Sequence, residues 1–459
     1  MAALWCPRMN EAPWAGRRLH FVGVGGAGMS GLALVAVALG AEVTGSDRAD
    51  SAYTARLREA DIEPAIGHAA ANVPGGAEVV VSTAIAQDNA ELTAARSAGL
   101  AVIHRGTLLA EVSRLRPCIA VAGTHGKTTT ASMAAHILVR CGLDPGYLIG
   151  GELRTTGANA AWGGGEWTVI EADESDRSFL ELAPDIAVIT NVELDHHSTY
   201  RSLRDLEQAF HAFAASARAR LALEGLDGIL PAPVATFGIE EGQMRAERIV
   251  PDGFGSRFAV DDVEVRLAVP GRHNVLNALA AIGACRQAGV PLTEAAAALA
   301  DFEGAGRRFE PRGTTPTGAR IFDDYAHHPT EVRATLEAAL GLGARRVVAC
   351  FQPHLYSRTR RLAREFGHAL GLAHLVVVLD VYPARERAED FPGVSGWLVA
   401  RAAADAAGGR PVYWLPEMDD AQRVLAGETR EGDVLLTLGA GDVDRLAAAL
   451  VSAAPPGAR

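Results

Sequence analysis

The feature that most restricts the fold of this chain is a pattern repeated along its length. Short apolar runs rich in β-branched residues are each followed by glycine or polar turn residues and then by a helical stretch. Strands that are apolar on both faces are typical of parallel sheets covered by helices on both sides. The runs include His20–Val24, Val79–Ser82, Ile119–Ala122, Val169–Glu171, Ile186–Thr190, Val347–Phe351, Leu375–Leu379 and Val434–Leu438. The pattern therefore predicts an α/β fold with parallel sheets.

The length of 459 residues is too great for one hydrophobic core and favours three domains. One break is predicted near Arg114–Pro117, just before an apolar strand, and another at the Pro-, Gly- and Thr-rich stretch Glu310–Gly318. The predicted domains are residues 1–115, 116–312 and 313–459. Within the second domain, the strand-like stretch 225–270 is interrupted by Gly and Pro and predicts a small β layer.

Composition excludes several classes of protein. A formal net charge of −12 argues against a nucleic-acid-binding face. The N-terminus carries Arg8 and Glu11 without an apolar stretch, and the most apolar run, Met29–Ala41, is too short to span a bilayer, so we expect no signal peptide and no membrane partner. The cysteines contain no C-x-x-C pair, which favours a reducing cytoplasm; they are Cys6, Cys118, Cys141, Cys285 and Cys350.

Lys127 is the only lysine of the chain, although Lys and Arg together number 43. An ammonium is compact enough to enter a glycine-lined phosphate loop, whereas a guanidinium is a wide planar fork. The residues around it are Gly123, Thr124, His125, Gly126, Thr128 and Thr129. The strict Walker A spacing fails because Val121 stands where its first glycine belongs, but the loop follows an apolar strand and precedes the helical run 131–140. We predict a triphosphate cradle, with Thr128 available to Mg²⁺; the alternative is a structural turn.

A second glycine-rich loop, Gly23–Gly28, matches G-x-G-x-x-G between a strand and a helix, and Asp47 follows at the spacing of a ribose-binding acid. The glycines let a pyrophosphate approach backbone N–H groups at a helix N-terminus. NAD or FAD would fit such a loop, and so would another diphospho-ribonucleotide such as a UDP-sugar. We favour the second of these over a dinucleotide or a purely structural turn.

Polar residues also follow two further strands. Glu171 closes an apolar run and begins the acidic segment Glu171–Asp176; it is predicted to bind Mg²⁺, with a solvated turn as the alternative. His196 follows the run 186–190 and is predicted to serve a second metal or a phosphate, with an ordinary core or surface histidine as the alternative. Zinc is not expected because no Cys or His partner lies at metal-ligand spacing.

Two other groups of polar residues suggest ligand contacts. Asn274 and Asn277 are three residues apart and share one face of a predicted helix, where they could cap the helix or contact a base. The C-terminal part of the chain contributes Arg308, Asp324, Tyr325, His327, His354 and Arg358. Each is more often structural when it occurs singly, but together they predict contacts to a nucleotide or to a carboxylate-bearing substrate, which Arg358 could bind bidentately.

Taken in order, these strings resemble the Mur ligase family of peptidoglycan synthesis. The matching strings are HFVGVGGAGMSG, GTHGKTTT, EADESDRSFL, TNVELDHH, PGRHNVLN, GAGRRFE, DDYAHHPTEV, FQPHLYSRT and LDVYPARE. The resemblance implies Rossmann-like first and third domains and a P-loop ATPase-like central domain. It also implies a cytoplasmic ligase that uses ATP and Mg²⁺ to activate the carboxylate of UDP-N-acetylmuramate as an acyl phosphate and then joins it to L-alanine. We expect the third domain to close over the ATP domain and exclude water.

The resemblance further implies a role for each candidate residue. Lys127 and the loop 123–129 would hold the phosphates, Thr128 and Glu171 one Mg²⁺, and His196 a second. The adenine, ribose and γ-phosphate would be contacted by Asn274, Asn277, Arg308 and Asp324. The UDP-sugar would be held by Gly25, Gly26, Ser30, Asp47, Ser82 and Arg105. The amino acid would be bound by Tyr325, His327, His354 and Arg358. The expected catalytic set is Lys127, Glu171, His196, Arg308 and Asp324.

Two departures from the family pattern affect these expectations. Leu355 stands where some relatives carry an arginine, which leaves Arg358 to bind the amino-acid carboxylate alone. Several Mur ligases bridge metal with a carbamylated lysine, a device that is excluded here because the single lysine is already committed. Three rival hypotheses remain open: a sister ligase that attaches a ready-made murein peptide, a nicotinamide-dependent dehydrogenase, and a non-enzymatic P-loop regulator.

Overall fold

A computed structural model describes residues 12–197 and 199–452. Cys6, Arg8 and Glu11, considered above, lie outside the described residues. The described residues form two compact units: one contains those up to Arg245 together with Asn277–Leu299, and the other contains Ala246–Leu276 with those from Ala300 onward.

The first sheet of the first unit is entirely parallel. Its strands are β1 (Arg18–Val22), β2 (Glu42–Asp47), β3 (Ala65–Ile66), β4 (Glu78–Val81) and β5 (Val102–His104), in the order β3-β2-β1-β4-β5. Its helices are α1 (Ala27–Ala38), α2 (Ala52–Glu59), α3 (Ala90–Ser97) and α4 (Arg105–Ser113). The chain winds outward in both directions from β1, so the loop Gly23–Gly28 lies at the topological switch point, where α/β sheets bind ligands.

The second sheet of this unit has one antiparallel pair, β7 with β8. Its strands are β6 (Cys118–Ala122), β7 (Gly146–Leu153), β8 (Ala158–Trp162), β9 (Thr168–Glu171), β10 (Ile186–Ile189), β11 (Ala219–Leu223), β12 (Ala235–Gly238) and β13 (Met244–Arg245), in the order β13-β12-β11-β10-β6-β9-β7-β8. Helices α5 (Lys127–Arg140) and α6 (Leu203–Ala215) belong to it. Helix α1 of the first sheet packs against β7 and β8, and a Cβ at Gly31 would lie 3.0 Å from that of Ala160. Both glycine loops therefore belong to one compact unit.

A small antiparallel layer opens the second unit. Its strands are β14 (Glu247–Asp252), β15 (Gly255–Val260) and β16 (Val263–Leu267). The predicted β layer is thus confirmed for these strands, and its placement within the middle domain stays a prediction. The compact unit that contains the layer also contains Phe309 and Phe322, whose ring centroids lie 5.9 Å and 5.5 Å from that of Phe254. Helices α7 (Arg272–Gln287) and α8 (Leu292–Ala298) follow, and α7 begins in the second unit and ends in the first.

The main sheet of the second unit is parallel except at one edge. Its strands are β17 (Glu310–Thr314), β18 (Arg320–Asp324), β19 (Arg346–Phe351), β20 (Leu375–Val378), β21 (Val412–Trp414) and β22 (Asp433–Leu438), in the order β17-β18-β22-β19-β20-β21. Its helices are α9 (Pro329–Gly341), α10 (Tyr356–Leu370), α11 (Trp397–Ala406), α12 (Met418–Glu428) and α13 (Asp444–Ser452). The predicted break Glu310–Gly318 contains the antiparallel edge strand β17, a position where Pro311 is tolerated because an edge strand can lack one N–H donor.

The α/β prediction is confirmed, because each of the predicted apolar runs forms the body of a parallel strand. Single-turn 3₁₀ helices occupy Ala70–Asn72, Ser178–Glu181, Leu299–Asp301 and Ala388–Asp390. Among the described residues, no helix combines the length and the apolar character needed to cross a membrane. The domain limits at 115 and 312 stay predictions.

Candidate active site

The loop after β6 is built around two glycines whose replacement would cause clashes. Gly123 has a φ of 144°, and a Cβ there would lie 1.9 Å from Thr190 Oγ1. Gly126 has a φ of 78°, and a Cβ there would lie 2.4 Å from Asn277 Oδ1. Both positions need glycine on grounds of backbone conformation and of space. Asn277, a predicted site residue, therefore lies directly against the loop.

Residues that follow β10 hold this loop in place. The hydroxyl of Thr190 and the side-chain amide of Asn191 donate to the His125 carbonyl at 2.5 and 2.9 Å. The His125 N–H donates in return to Asn191 Oδ1 at 2.8 Å. Thr124 Oγ1 donates to the Glu193 carbonyl at 2.8 Å and accepts from the Glu193 N–H at 2.9 Å. The loop is preformed, and the first N–H groups of α5, which have no partner within the helix, are oriented as a phosphate-binding helix N-terminus requires.

The ammonium of Lys127 lies inside this loop. Nζ donates to the carbonyls of Gly123 and Thr124 at 2.6 and 3.1 Å, and it lies 3.0 and 2.8 Å from the two carboxylate oxygens of Glu174. Burial alone would lower the pKa of Lys127, but the carboxylates of Glu174 and Asp173 outweigh burial and raise it. The single lysine is therefore a buried, fixed positive charge.

Thr128 and Glu171 place oxygen ligands side by side. Thr128 Oγ1 donates to Glu171 Oε1 at 2.8 Å, and the other carboxylate oxygen accepts from the Gly150 N–H at 2.6 Å. Glu171 closes β9 and Thr128 lies in the first turn of α5, so a strand and a helix of the first unit bring the pair together. A hydroxyl beside a carboxylate suits a hard cation such as Mg²⁺, which prefers oxygen ligands.

His196 lies beside the acidic segment that follows β9. Its Nε2 is 3.4 Å from Glu174 Oε1 and 3.8 Å from Asp195 Oδ2. The potential ligand atoms of Asp173, Glu174 and His196 all lie within 4.8 Å of one another. Burial would raise the pKa of Asp173, but the charges of Arg105 and Lys127 outweigh burial and hold that pKa below its usual range. The Arg105 guanidinium donates to Asp173 Oδ2 at 2.9 Å, which links a predicted UDP-sugar residue to the acidic segment.

The first glycine loop is stabilised by Asp47, whose Oδ2 accepts from the Gly25 N–H at 2.9 Å. Gly26 is the N-cap residue of α1 and has no side chain that could accept a capping hydrogen bond. Ser30 is buried in α1, and its hydroxyl donates to the Ala27 carbonyl at 3.1 Å. Ser82 follows β4 and is half-buried. The structure brings these residues to one end of the first sheet, while their contacts to a ligand stay predictions.

We expect the Gly25→Ala variant to bind the UDP-sugar predicted for this loop about tenfold more weakly, the factor expected when a hydrogen bond to a charged group is lost. The added Cβ would lie 2.9 Å from Asp47 Oδ2 and 3.0 Å from Thr54 Cγ2, so the loop must move. Gly75→Ala is the matched control, because no heavy atom lies within 4 Å of a Cβ at that position. Calorimetric titration with UDP-N-acetylmuramate and with ADP tests this. Equal affinities in both variants, or parallel loss of ADP binding, would show that the first loop does not hold the UDP-sugar.

In the second unit, Asp324 closes β18 and is tied to its surroundings. Its carboxylate accepts from two backbone N–H groups at 2.9 and 2.8 Å. Burial raises the pKa of Asp324 to about 6, in spite of the Arg308 guanidinium nearby. The Arg308 guanidinium lies 5.3 Å from the centre of the Tyr325 ring, and its Nη1 lies 3.8 Å from Glu331 Oε1. Arg308, which was predicted in one group with Asp324 and Tyr325, thus lies next to them in the structure.

The predicted amino-acid residues also come together in this unit. The ring centroids of Tyr325 and His327 are 5.3 Å apart, and those of His327 and His354 are 6.0 Å apart. Arg358 is only 5% exposed, and its Nη1 lies 3.3 Å from His354 Nδ1. Tyr382, which was not predicted, stacks on His354 at 5.9 Å. These residues follow the carboxyl ends of β18, β19 and β20, which is where a parallel sheet binds ligands.

The two predicted asparagines of α7 belong to different units. Asn274 Nδ2 donates to the Pro270 carbonyl at 2.7 Å, within the second unit. Asn277 Oδ1 accepts from Thr130 Oγ1 at 3.2 Å, within the first. Both side chains are buried, and their predicted contacts to adenine stay predictions.

Three family models match the chain. They are described as the Mur ligase family catalytic domain, the Mur ligase middle domain and the Mur ligase glutamate ligase domain, and they match residues 18–116, 121–285 and 307–441. The chain belongs to the Mur ligase family. The predicted resemblance is confirmed, and so is the prediction of three domains of this family.

Two relatives within the Mur ligases illustrate the similarity. A UDP-N-acetylmuramate–L-alanine ligase from Acidithiobacillus ferrooxidans is 46% identical over 453 residues, covering 94% of this chain and 97% of the relative. A protein of the same name from Rubrobacter xylanophilus is 45% identical over 447 residues, covering 93% of this chain and 98% of the relative.

Solved structures of Mur ligases are also similar to this chain. The crystal structure of UDP-N-acetylmuramate–alanine ligase MurC from Thermotoga maritima matches with a TM-score of 0.82 and 30% identity, covering 95% of this chain and 98% of that one. A murein peptide ligase from Psychrobacter arcticus matches with a TM-score of 0.72 and 28% identity, covering 96% of this chain and 100% of that one.

Within each unit, residues that were not predicted from the sequence contact predicted site residues. Thr190 and Asn191 donate hydrogen bonds to the loop around Lys127, and Glu174 contacts Lys127 itself. Arg307 bonds to Asp323 Oδ2 at 2.9 Å and to two carbonyls of the loop after β22, at 2.9 and 3.0 Å. All four residues stand inside the quoted strings, so the available signal was their adjacency to predicted residues.

Proposed function

We propose that this chain joins L-alanine to the carboxylate of UDP-N-acetylmuramate at the expense of ATP, a step of peptidoglycan precursor synthesis. The observation that carries the proposal is near-full-length similarity, at 46% identity, to a ligase named for this reaction. The preformed loop around Lys127 supports it, because a nicotinamide-dependent dehydrogenase has no use for a second, lysine-bearing phosphate loop. The chain is an ATP-dependent ligase.

The chemistry proceeds in two displacements. A muramate carboxylate oxygen attacks the γ-phosphorus of ATP, and the bond from that phosphorus to the β,γ-bridging oxygen breaks. ADP departs, and the phosphoryl group is now attached to the carboxylate as an acyl phosphate. The alanine amine then attacks the acyl carbon, and the tetrahedral intermediate loses inorganic phosphate and a proton to give the amide. Such transfers depend mainly on positioning and charge stabilisation. Lys127 and the N–H groups of the loop would supply both at the terminal phosphate.

The residues present fit Mg²⁺. Thr128 Oγ1 and Glu171 Oε1, which are 2.8 Å apart, would hold one ion, and His196 would serve a second. When bound, the metal neutralises charge on the phosphate oxygens. Glu171 also accepts the Gly150 N–H, so its carboxylate is held toward Thr128 before nucleotide arrives.

The remaining roles are those that the resemblance to the Mur ligase family implies. The UDP-sugar would be held by Gly25, Gly26, Ser30, Asp47, Ser82 and Arg105. Arg358 would bind the alanine carboxylate, with Tyr325, His327 and His354 lining the amino-acid site. Asn274, Asn277, Arg308 and Asp324 would contact the nucleotide. We expect a cytoplasmic location, because the nucleotide-linked substrate and ATP are cytoplasmic.

The test is a phosphate-release assay in which each component is omitted in turn. We expect release only with ATP, Mg²⁺, UDP-N-acetylmuramate and L-alanine together, and a mass spectrum of the amide product. A panel of glycine, L-serine and a murein tripeptide defines the acceptor. Preferred use of the tripeptide would favour the sister murein peptide ligase, which the match to the Psychrobacter arcticus structure keeps as a second candidate.

We expect Mg²⁺ removal by a chelator to abolish turnover, and Glu171→Gln to raise the Mg²⁺ concentration needed for half-maximal rate about tenfold. The substitution removes a carboxylate charge but keeps the size of the side chain. Glu166→Gln is the matched control, because Glu166 is exposed and lies just before β9, the strand that Glu171 closes. A titration of the rate against Mg²⁺ checks this. An unchanged requirement in Glu171→Gln would exclude Glu171 as a metal ligand.

A further inference from the structure

Glu174 lies between two residues that are proposed to act in phosphoryl transfer. Its carboxylate oxygens are 3.0 and 2.8 Å from Lys127 Nζ, and Oε1 is 3.4 Å from His196 Nε2. Its side chain is only 1% exposed, so water competes little for these contacts. The carboxylate therefore joins the phosphate-loop lysine to the histidine.

The contacts of Lys127 show which of its partners a phosphate could replace. An ammonium has three N–H donors, and here they face the Gly123 carbonyl, the Thr124 carbonyl and the Glu174 carboxylate. The two carbonyls belong to the loop that Thr190 and Asn191 brace. The Glu174 carboxylate is therefore the one partner of Lys127 that a phosphate oxygen can replace without movement of the loop.

The backbone of Glu174 is also held in place by hydrogen bonds. Its carbonyl accepts from the Tyr200 hydroxyl at 2.7 Å and from the Arg177 N–H at 3.1 Å. Tyr200 is fully buried, and Thr199 Oγ1 donates to the next carbonyl, that of Ser175, at 2.6 Å. This support is typical of a residue whose position matters to a site.

We propose that Glu174 is a positioning residue: its carboxylate holds Lys127 and His196 in place before ATP binds, and it yields one ammonium N–H to the terminal phosphate. The inference rests on the proposed function. Glu174→Gln keeps the size and removes the charge. We expect kcat to fall about 10²-fold, the cost of a misplaced catalytic group. KM for ATP should change by less than about threefold, because the loop N–H groups that bind the phosphates are unaltered.

The single lysine allows a test that does not depend on turnover. An amine-acylating reagent such as acetic anhydride, with the modified peptide quantified by mass spectrometry, reports on Lys127 separately from the N-terminal amine. Without nucleotide, Glu174→Gln should be labelled about tenfold faster than the unmodified sequence, the factor expected for loss of one charge-assisted hydrogen bond. Added ADP and Mg²⁺ should slow labelling again.

Glu181→Gln is the matched control, because Glu181 is exposed in the same segment, and it should change neither labelling nor kcat. Wild-type labelling in Glu174→Gln, or a kcat loss that equals the loss of folded protein in a thermal melt, would overturn the proposal. If Glu174→Gln does not fold, Glu174→Asp, which shortens the reach by one methylene, takes its place with the same expected direction. Failure of the proposed function differs: the wild type would then release no phosphate with its substrates, whatever the labelling result.

Discussion

Replacing Lys127 with arginine is expected to lower kcat about 10³-fold, at the upper end of what removing one charge-stabilising group costs. The ammonium is buried and lies 2.6 Å from the Gly123 carbonyl, inside a loop whose glycines already lie against Thr190 and Asn277. A planar guanidinium keeps the charge but does not fit this space, so it must displace the loop or leave it. The change therefore separates the shape of the cation from its charge.

The fold and the UDP-N-acetylmuramate affinity of Lys127→Arg should stay unchanged, because the first glycine loop belongs to another sheet. Steady-state phosphate release, thermal melting and calorimetric titration measure the three quantities. Arg204→Lys, an exposed exchange between the same two residue types, is the control and should behave as wild type. A kcat for Lys127→Arg within a few-fold of wild type would refute the cradle assignment.

Replacing Arg358 with alanine is expected to raise KM for L-alanine about 10²-fold, within the range for truncating one partner of a buried, charge-assisted contact. Arg358 is buried beside His354 in the first turn of α10. Position 355, one turn before Arg358, is a leucine, so no second guanidinium from that position shares the carboxylate. Arg358 should then provide most of the affinity for the L-alanine carboxylate.

KM for ATP should remain within about twofold in Arg358→Ala, since the loss affects binding of one substrate only. Initial rates with each substrate varied in turn provide the values. Arg361→Ala, an exposed position in the same helix, is the control. A larger rise in KM for ATP than for L-alanine would mean that the amino-acid site has been placed wrongly.

The strands could be predicted from the sequence because their signal is local. Runs such as 119–122 and 186–189 are apolar at every position, and in a parallel sheet they are buried on both faces. The packing partners of the β14–β16 layer could not be predicted, because Phe254 meets Phe309 and Phe322, which are distant in sequence. The strand β17 was missed for a related reason: Pro and Gly predict a break unless pairing with β18 is known.

The candidate site shows the same difference between features with a local sequence signal and features that depend on contacts between distant residues. Glu171 and Thr128 were identified because strand ends and the start of a helix mark them, and the structure brings them to 2.8 Å. Thr190 and Asn191 also follow a strand end, but their hydrogen bonds to the loop depend on β10 lying next to β6, which the sequence does not indicate. Residues predicted to contact ligands therefore stand at recognisable positions in a motif, whereas the contacts of the residues that support the motif became visible only in three dimensions.

The central claim is that ATP activates the muramate carboxylate as an acyl phosphate. Enzymatic turnover with UDP-N-acetylmuramate labelled with ¹⁸O in that carboxylate, followed by mass analysis of the released phosphate, tests it most directly. We predict that each phosphate carries one ¹⁸O atom, because the carboxylate oxygen that attacks the γ-phosphorus leaves with it. Unlabelled phosphate formed alongside the amide product would contradict the account.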